Sequence, residues 1–260
     1  MDGLLGNPAT WTYATAKLTA WMLVLTRITG LLAAIPGLGN ERLPLPVRAG
    51  LAALLAIVIA PTLPPMKVLP TGIWDFSAVL AVELAVGLVM GTLVALVFSA
   101  VSFGANLIDI QTGFSFVQFF NPVEPQPAAV AGTLLAQVTL LLLFATGLHH
   151  QMILALADSY RLVPLGGAFQ VNGMGLVALA GALLTKGVQM AAPVLFALFL
   201  VDVLEGFGAR FMPQLQLLQL TFPIKISIGL AVLAYVIMEL PRWLKPLFNA
   251  VPGWAFWMLK

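Results

Sequence analysis

The sequence predicts an all-α, polytopic integral-membrane fold with about six long apolar helices arranged as helical hairpins, and three observations carry that prediction. Hydrophobic residues are 61 % of the 260-residue chain, with 23 glycines besides, against about 45–50 % for the combined set in soluble domains. Charged residues are 8 % where about 25 % is usual, and mean hydropathy is +1.03. Twelve Lys/Arg and ten Asp/Glu cannot clothe a water-facing globule of this size. Third, the apolar residues fall in six runs of a length suited to crossing a bilayer, about 20 residues of helix.

The runs lie near residues 15–35, 47–65, 76–103, 128–157, 174–200 and 215–240. The third and fourth are cleanest: no charge falls between Glu83 and Asp109, or between Glu124 and Asp158. Arg27 and Lys225 interrupt the first and sixth. Helix-breaking residues punctuate the intervals. Pro36-Gly37 with Pro44-Leu45-Pro46 ends the first run, Pro61 to Pro70 the second, and Asn121-Pro122 to Pro127 precedes the fourth. Proline fixes φ and removes a backbone donor, so such clusters mark span ends. Pro164-Leu165-Gly166-Gly167 and Gly206-Phe207-Gly208 to Pro213 close the fourth and fifth runs in the same way.

Six spans put both termini on one side. Lys17, Lys67, Arg161, Arg242, Lys245 and Lys260 then share the terminal side, against Arg42, Arg48 and Arg210 opposite. The excess favours cytoplasmic termini. Lys17 and Arg27 within the first apolar segment argue against a cleaved signal peptide.

Composition excludes several function classes. No cysteine is present, which removes disulfides, thiolate metal sites and cysteine nucleophiles. His149 and His150 are the sole histidines; adjacent helical residues point about 100° apart, a poor arrangement for sharing a metal, so neither a metal nor another cofactor is expected. A net charge of +2 without a Lys/Arg cluster gives nucleic acid no surface to bind. No Gly-x-Ser-x-Gly, His-Glu-x-x-His or paired catalytic aspartates at helical spacing occurs, so no catalytic residue is assigned. A secondary transporter using Glu83, Lys186 and Lys225 is the main alternative, but such proteins show two similar halves, and no internal symmetry is evident.

Charges inside the apolar runs are the informative residues. Arg27, Glu83, Lys186 and Lys225 would each cost about 2.5–3.5 kcal/mol at a bilayer centre, so each should face protein or water. Helical spacing puts them on small-residue faces: Glu83 with Gly87 and Gly91, Lys186 with Ala178 and Ala182, Lys225 with Gly229, and Arg27 with Gly30 and Ala34. Gly87 to Gly91 matches the GxxxG pattern by which membrane helices approach closely. Glu83, Gly87, Gly91, Lys186 and Lys225 are therefore candidates for a subunit packing face. Three cations and one anion cannot all pair, so the remainder need Asp109, Asp158, Asp202, Glu205 or acids from partners.

The stretch from Gly104 to Pro122 is read as an unusual connection, because polar residues mix there with Phe114, Phe116, Phe119 and Phe120. Loops normally sit in water, so these rings need burial. They are candidates for a hydrophobic constriction that blocks a passage by excluding water.

Order and spacing of these elements resemble the flagellar biosynthetic protein FliR family, whose architecture is shared by an injectisome subunit. The resemblance covers nearly the whole chain. It rests on Arg42-x-x-x-Pro46-x-Arg48 before Leu51-Ala52 and Pro61-x-Leu63-Pro64, then Glu83-x-x-x-Gly87-x-x-x-Gly91. It continues through Gly104-x-x-x-x-Asp109-x-Gln111-x-Gly113-Phe114-Ser115-Phe116 to Asn121-Pro122, and through Gly147-x-His149 with Ser159-Tyr160-x-x-x-Pro164. Ala192-Pro193, Pro213-Gln214 and Phe222-Pro223-x-Lys225 complete it. The resemblance implies one export-gate domain over residues 1–260, in the bacterial inner membrane and the flagellar basal body. It further implies a non-enzymatic subunit that forms a pore with FliP and FliQ homologues, beside an FlhB homologue and the rest of the export apparatus. Unfolded flagellar proteins would cross through that pore, with lipid around it, and injectisome cargo is the alternative. By position, Phe114, Phe116, Phe119 and Phe120 would belong to the loop that seals the closed pore, Phe116 and Phe119 facing inward.

Overall fold

The computed structural model describes residues 8–37, 39, 43–64, 72–114, 129–168, 170–211 and 217–259. Among these residues the chain is helical, without strands: α1 Pro8–Ala34, α2 Leu45–Ile59, α3 Ile73–Thr112, α4 Val130–Ala145, α5 Leu148–Leu162, α6 Gly173–Phe211 and α7 Leu217–Met258. A single 3-10 turn, Ala60–Thr62, extends α2. Five helices are long and apolar enough to cross a membrane, or six when α4 and α5 are counted as one broken span.

Several helix limits differ from those read in the sequence. The helix expected to end near residue 103 continues to Thr112, so Gly104 to Thr112 is helix rather than connection. Gly104, Ala105, Ile108, Asp109 and Thr112 are buried at helical spacing, and that stripe holds the extra turns in place. Gly206-Phe207-Gly208 does not stop α6, since a helical glycine costs only about 1 kcal/mol against alanine. Helix α7 runs on to Met258 through Pro241, Pro246 and Pro252. Each is an isolated proline, and Pro241 and Pro246 lie on the exposed side. The fourth run breaks at Thr146–Gly147, where Gly147 takes φ +71°, a conformation glycine adopts without strain.

The chain divides into two compact units. The first comprises Met1–Ala95, Leu148–Leu176 and Ala250–Lys260. In it α1 lies along α2 and crosses α3 closely enough that a Cβ on Gly87 would collide with the Arg27 carbonyl. A Cβ on Gly30 would lie 2.6 Å from the Leu84 carbonyl oxygen, and one on Gly91 2.5 Å from that of Leu31. Helix α5 buries Leu148, Met152, Ala155, Leu156, Ser159 and Tyr160, one stripe at 3.6-residue period. Asn172 caps α6: its Oδ1 accepts from the Gly175 N–H at 2.9 Å, filling an otherwise orphaned donor.

The second unit comprises Leu96–Gly147 and Val177–Asn249. Its α3 and α6 segments cross at Gly104 and Gly187, where each glycine meets the opposing backbone. Helix α4 contributes a narrow seam of Ala131, Leu135, Thr139 and Leu143. From α7 come Leu233, Val236, Leu240, Leu244 and Phe248, the last with its ring centroid 6.4 Å from that of Phe98.

Candidate functional site

In the first unit a polar cluster lies in the apolar core. Arg27 and Glu83 are both fully buried. Arg27 Nε donates to Glu83 Oε2 at 2.6 Å, Nη1 donates to Ser159 Oγ at 2.8 Å, and Nη2 donates to the Val163 carbonyl at 3.0 Å. The Tyr160 ring centre lies 3.9 Å from the guanidinium carbon, a cation–π contact. Glu83 Oε1 accepts from the Gly166 N–H at 3.2 Å. That N–H is aimed by the turn after α5, where Gly166 has φ +73° and Gly167 donates to the Pro164 carbonyl at 2.8 Å. A buried ion pair is tolerated only when further hydrogen bonds satisfy both groups, and here Ser159 of α5 and the Val163 carbonyl and Gly166 N–H of the following turn supply them. Glu83 and Arg27 thus find one another within this chain, and the Gly87–Gly91 face beside them is filled by α1.

The second unit holds a second polar cluster where α3 ends. Asp109, 2 % exposed, accepts from the Ala131 N–H at 2.9 Å and the Gly132 N–H at 2.9 Å. It therefore caps α4 from another helix, since the first N–H groups of a helix lack intrahelical partners and its positive end favours an anion. Two residues on, Gln111 Nε2 donates to Asp202 Oδ2 at 2.6 Å, and the other Asp202 oxygen pairs with Lys225. Helices α3, α6 and α7 meet at this triad. Gly229, one turn beyond Lys225, packs against Thr112, and Gly113, at φ +86°, faces the Phe222 ring. The sequence singled out Lys225 and Gly229 by spacing, and Asp202 as one possible counter-ion. It carried no sign of the Gln111 bridge or of the cap made by Asp109.

Lys186 stands apart. It is exposed, and its Nζ donates to Gln189 Oε1 at 3.2 Å while facing the Trp243 ring at 5.9 Å. Of the four phenylalanines proposed as a constriction, Phe114 is half-buried just beyond α3; Phe116, Phe119 and Phe120 lie outside the described residues. Among the described residues no three His, Cys, Asp or Glu side chains gather in a way that could hold a metal. The rings of His149 and His150 lie against each other, centroids 4.1 Å apart.

The sequence profile of bacterial export proteins, family 1, matches residues 18–251, a range that contains every residue of both clusters. The flagellar biosynthetic protein FliR of Caulobacter vibrioides is 29 % identical over 215 residues, covering 82 % of this chain and 86 % of the relative. That of Bacillus subtilis is 28 % identical over 221 residues, covering 82 % and 84 %. The Yop proteins translocation protein T of Yersinia pestis is 24 % identical over 234 residues, covering 86 % and 87 %. These two flagellar relatives are more similar to this chain than the Yop protein is, and each match covers more than four-fifths of both chains. The chain belongs to the bacterial export proteins, family 1, as a FliR-type component of type III protein export.

Proposed function

We propose that this chain is a non-catalytic subunit of the flagellar export gate in the bacterial inner membrane, at the base of the flagellar basal body. It joins FliP and FliQ homologues to form the pore for unfolded flagellar proteins, with an FlhB homologue alongside. The observation that supports this best is helix length. Helices α3, α6 and α7 contain 40, 39 and 42 residues, about 60 Å each at about 1.5 Å per residue, while a bilayer's hydrocarbon core is about 30 Å thick. Half of each helix therefore has to be covered by something other than acyl chains, and neighbouring subunits supply that cover. The segment of Phe114, Phe116, Phe119 and Phe120 serves as the seal of the closed pore, rooted where Asp109 and the Gln111–Asp202–Lys225 triad fix the flanking helices.

The test is complementation. A strain lacking the endogenous gene should regain secretion of flagellar subunits with this chain, and a tagged copy extracted in mild detergent should carry the FliP and FliQ homologues with it. A chain that purifies alone and drives solute uptake in liposomes would replace this reading with the transporter one.

A further inference from the structure

Lys186 is the charge inside an apolar run for which the chain's described residues provide no acid. Arg27 has Glu83 and Lys225 has Asp202, whereas Lys186 has an amide oxygen and an aromatic face. Its orientation is fixed by its neighbours. Leu183, Gly187 and Met190 are buried, Gly187 against the Ala100 carbonyl of α3, so Lys186 and Gln189 stand together on the outer side of α6. Beside them, between α6 and α7, is a cavity of about 180 Å³ lined by Gln189, Pro193, Tyr235, Glu239 and Trp243 among others. Glu239 pairs with Arg242, whose Nη1 donates to its carboxylate at 2.9 Å, and forms no ion pair with Lys186. Pro193 has no N–H, so the Gln189 carbonyl one turn earlier lacks its usual helical donor. The recess is thus polar in an apolar wall, and its flanks, Leu184, Val188, Tyr235 and Met238, are exposed.

We infer that Lys186, steadied by Trp243 and Gln189, is the socket for a carboxylate carried on an apolar helix of a neighbouring subunit. The inference rests on the subunit reading above and names the contact that reading leaves open. Charge complementarity selects the occupant: an ammonium on an apolar surface is stable beside protein or water and not beside acyl chains. A lipid phosphate is the competing anion, and the exposed Leu184 and Val188 beside Lys186 favour an apolar helix over a hydrated headgroup. Exposed apolar residues on both sides of the ammonium suit a helix laid into the recess with an acid at its centre.

The experiment co-expresses tagged wild-type chain, Lys186→Arg, Lys186→Met and Lys186→Glu with the FliP and FliQ homologues of the same bacterium. It reads the yield of co-eluting complex and the phospholipid bound per complex. Lys186→Arg should stay within about twofold of wild type. Lys186→Glu should lose at least about tenfold in complex yield, and Lys186→Met several-fold. A second-site change restoring the Lys186→Glu complex should convert an Asp or Glu on a partner helix to a basic residue. Each variant is also purified alone. If Lys186→Glu aggregates by itself, the decision passes to Lys186→Met, and wild-type complex yield from Lys186→Met overturns the proposal. Wild-type yield from a well-behaved Lys186→Glu overturns it equally, and a simultaneous loss of bound phospholipid would then mark a headgroup site. Failure of the wild-type chain itself to co-elute refutes the subunit reading instead.

Discussion

Replacing Arg27 with methionine removes the central donor of the buried cluster while keeping an unbranched apolar side chain in its place. Glu83 is then left fully buried with the Gly166 N–H as its remaining hydrogen bond shown. Breaking a buried pair by deleting one partner costs about 3–5 kcal/mol, and the lost cation–π contact with Tyr160 adds about 0.5–2 kcal/mol. At about 2–4 °C per kcal/mol for chains near this length, the purified chain in detergent should melt roughly 7–28 °C lower. The informative control is the double variant Arg27→Met with Glu83→Leu, which removes both charges. Apolar replacement of an entire buried pair is often neutral or stabilising, so the double variant should recover most of the loss. A double-mutant cycle isolates the coupling between the two positions. A single variant within about 2 °C of wild type, or a double variant no better than the single, would refute the view that Arg27 and Glu83 are matched to one another.

Glycines separate by the same logic. Gly87→Ala sets a methyl against the Arg27 carbonyl and should lower the melting temperature and the yield of assembled complex. Gly181→Ala, whose new Cβ meets nothing within 4 Å, should be neutral or add up to about 1 kcal/mol through helix propensity; equal effects at the two sites would sink the close-packing argument. Asp109→Ala removes the acceptor for the Ala131 and Gly132 N–H groups. A loss of about 0.5–2 kcal/mol is expected for such a cap, with faster hydrogen exchange confined to the first turn of α4, and unchanged exchange there would deny Asp109 that role. Phe116→Ala combined with Phe119→Ala should leave the complex assembled and make membranes leaky to small solutes; normal assembly with unchanged permeability removes the constriction assignment.

Much of the fold was readable because lipid-facing and core-facing helices share one apolar signature, and 61 % hydrophobic composition shows it at any scale. Helix ends were less readable, since single breakers have opposite effects in different surroundings. Pro241 and Gly208 sit within continuous helix, whereas Gly147 ends one, and the difference lies in which backbone groups find partners. Spacing placed Arg27, Glu83 and Lys225 on small-residue faces correctly, because a helix's own geometry fixes which residues share a side. It was silent on who meets whom across faces. Glu83 meets Arg27 from 56 residues away and Gly166 from 83 residues away, and no local pattern encodes such pairings. The aromatic rings of Phe116, Phe119 and Phe120 stand out in sequence, and they lie outside the described residues.

The cluster around Glu83 also sets a schedule for the ribosome. Arg27 and Glu83 leave the exit tunnel long before Ser159, Val163 and Gly166, and at about 5–20 residues per second the 83 residues from Glu83 to Gly166 take about 4–17 s to make. During that interval the two charges lack the groups that later complete their hydrogen bonding. Helices α1, α2 and α3 are therefore made before α5, and Ser159, the Val163 carbonyl and the Gly166 N–H complete the cluster only once that helix and its turn follow. A pause in translation before residue 159 prolongs the time for which the cluster is incomplete, so synonymous changes that slow this stretch should reduce the amount of protein without altering the protein itself.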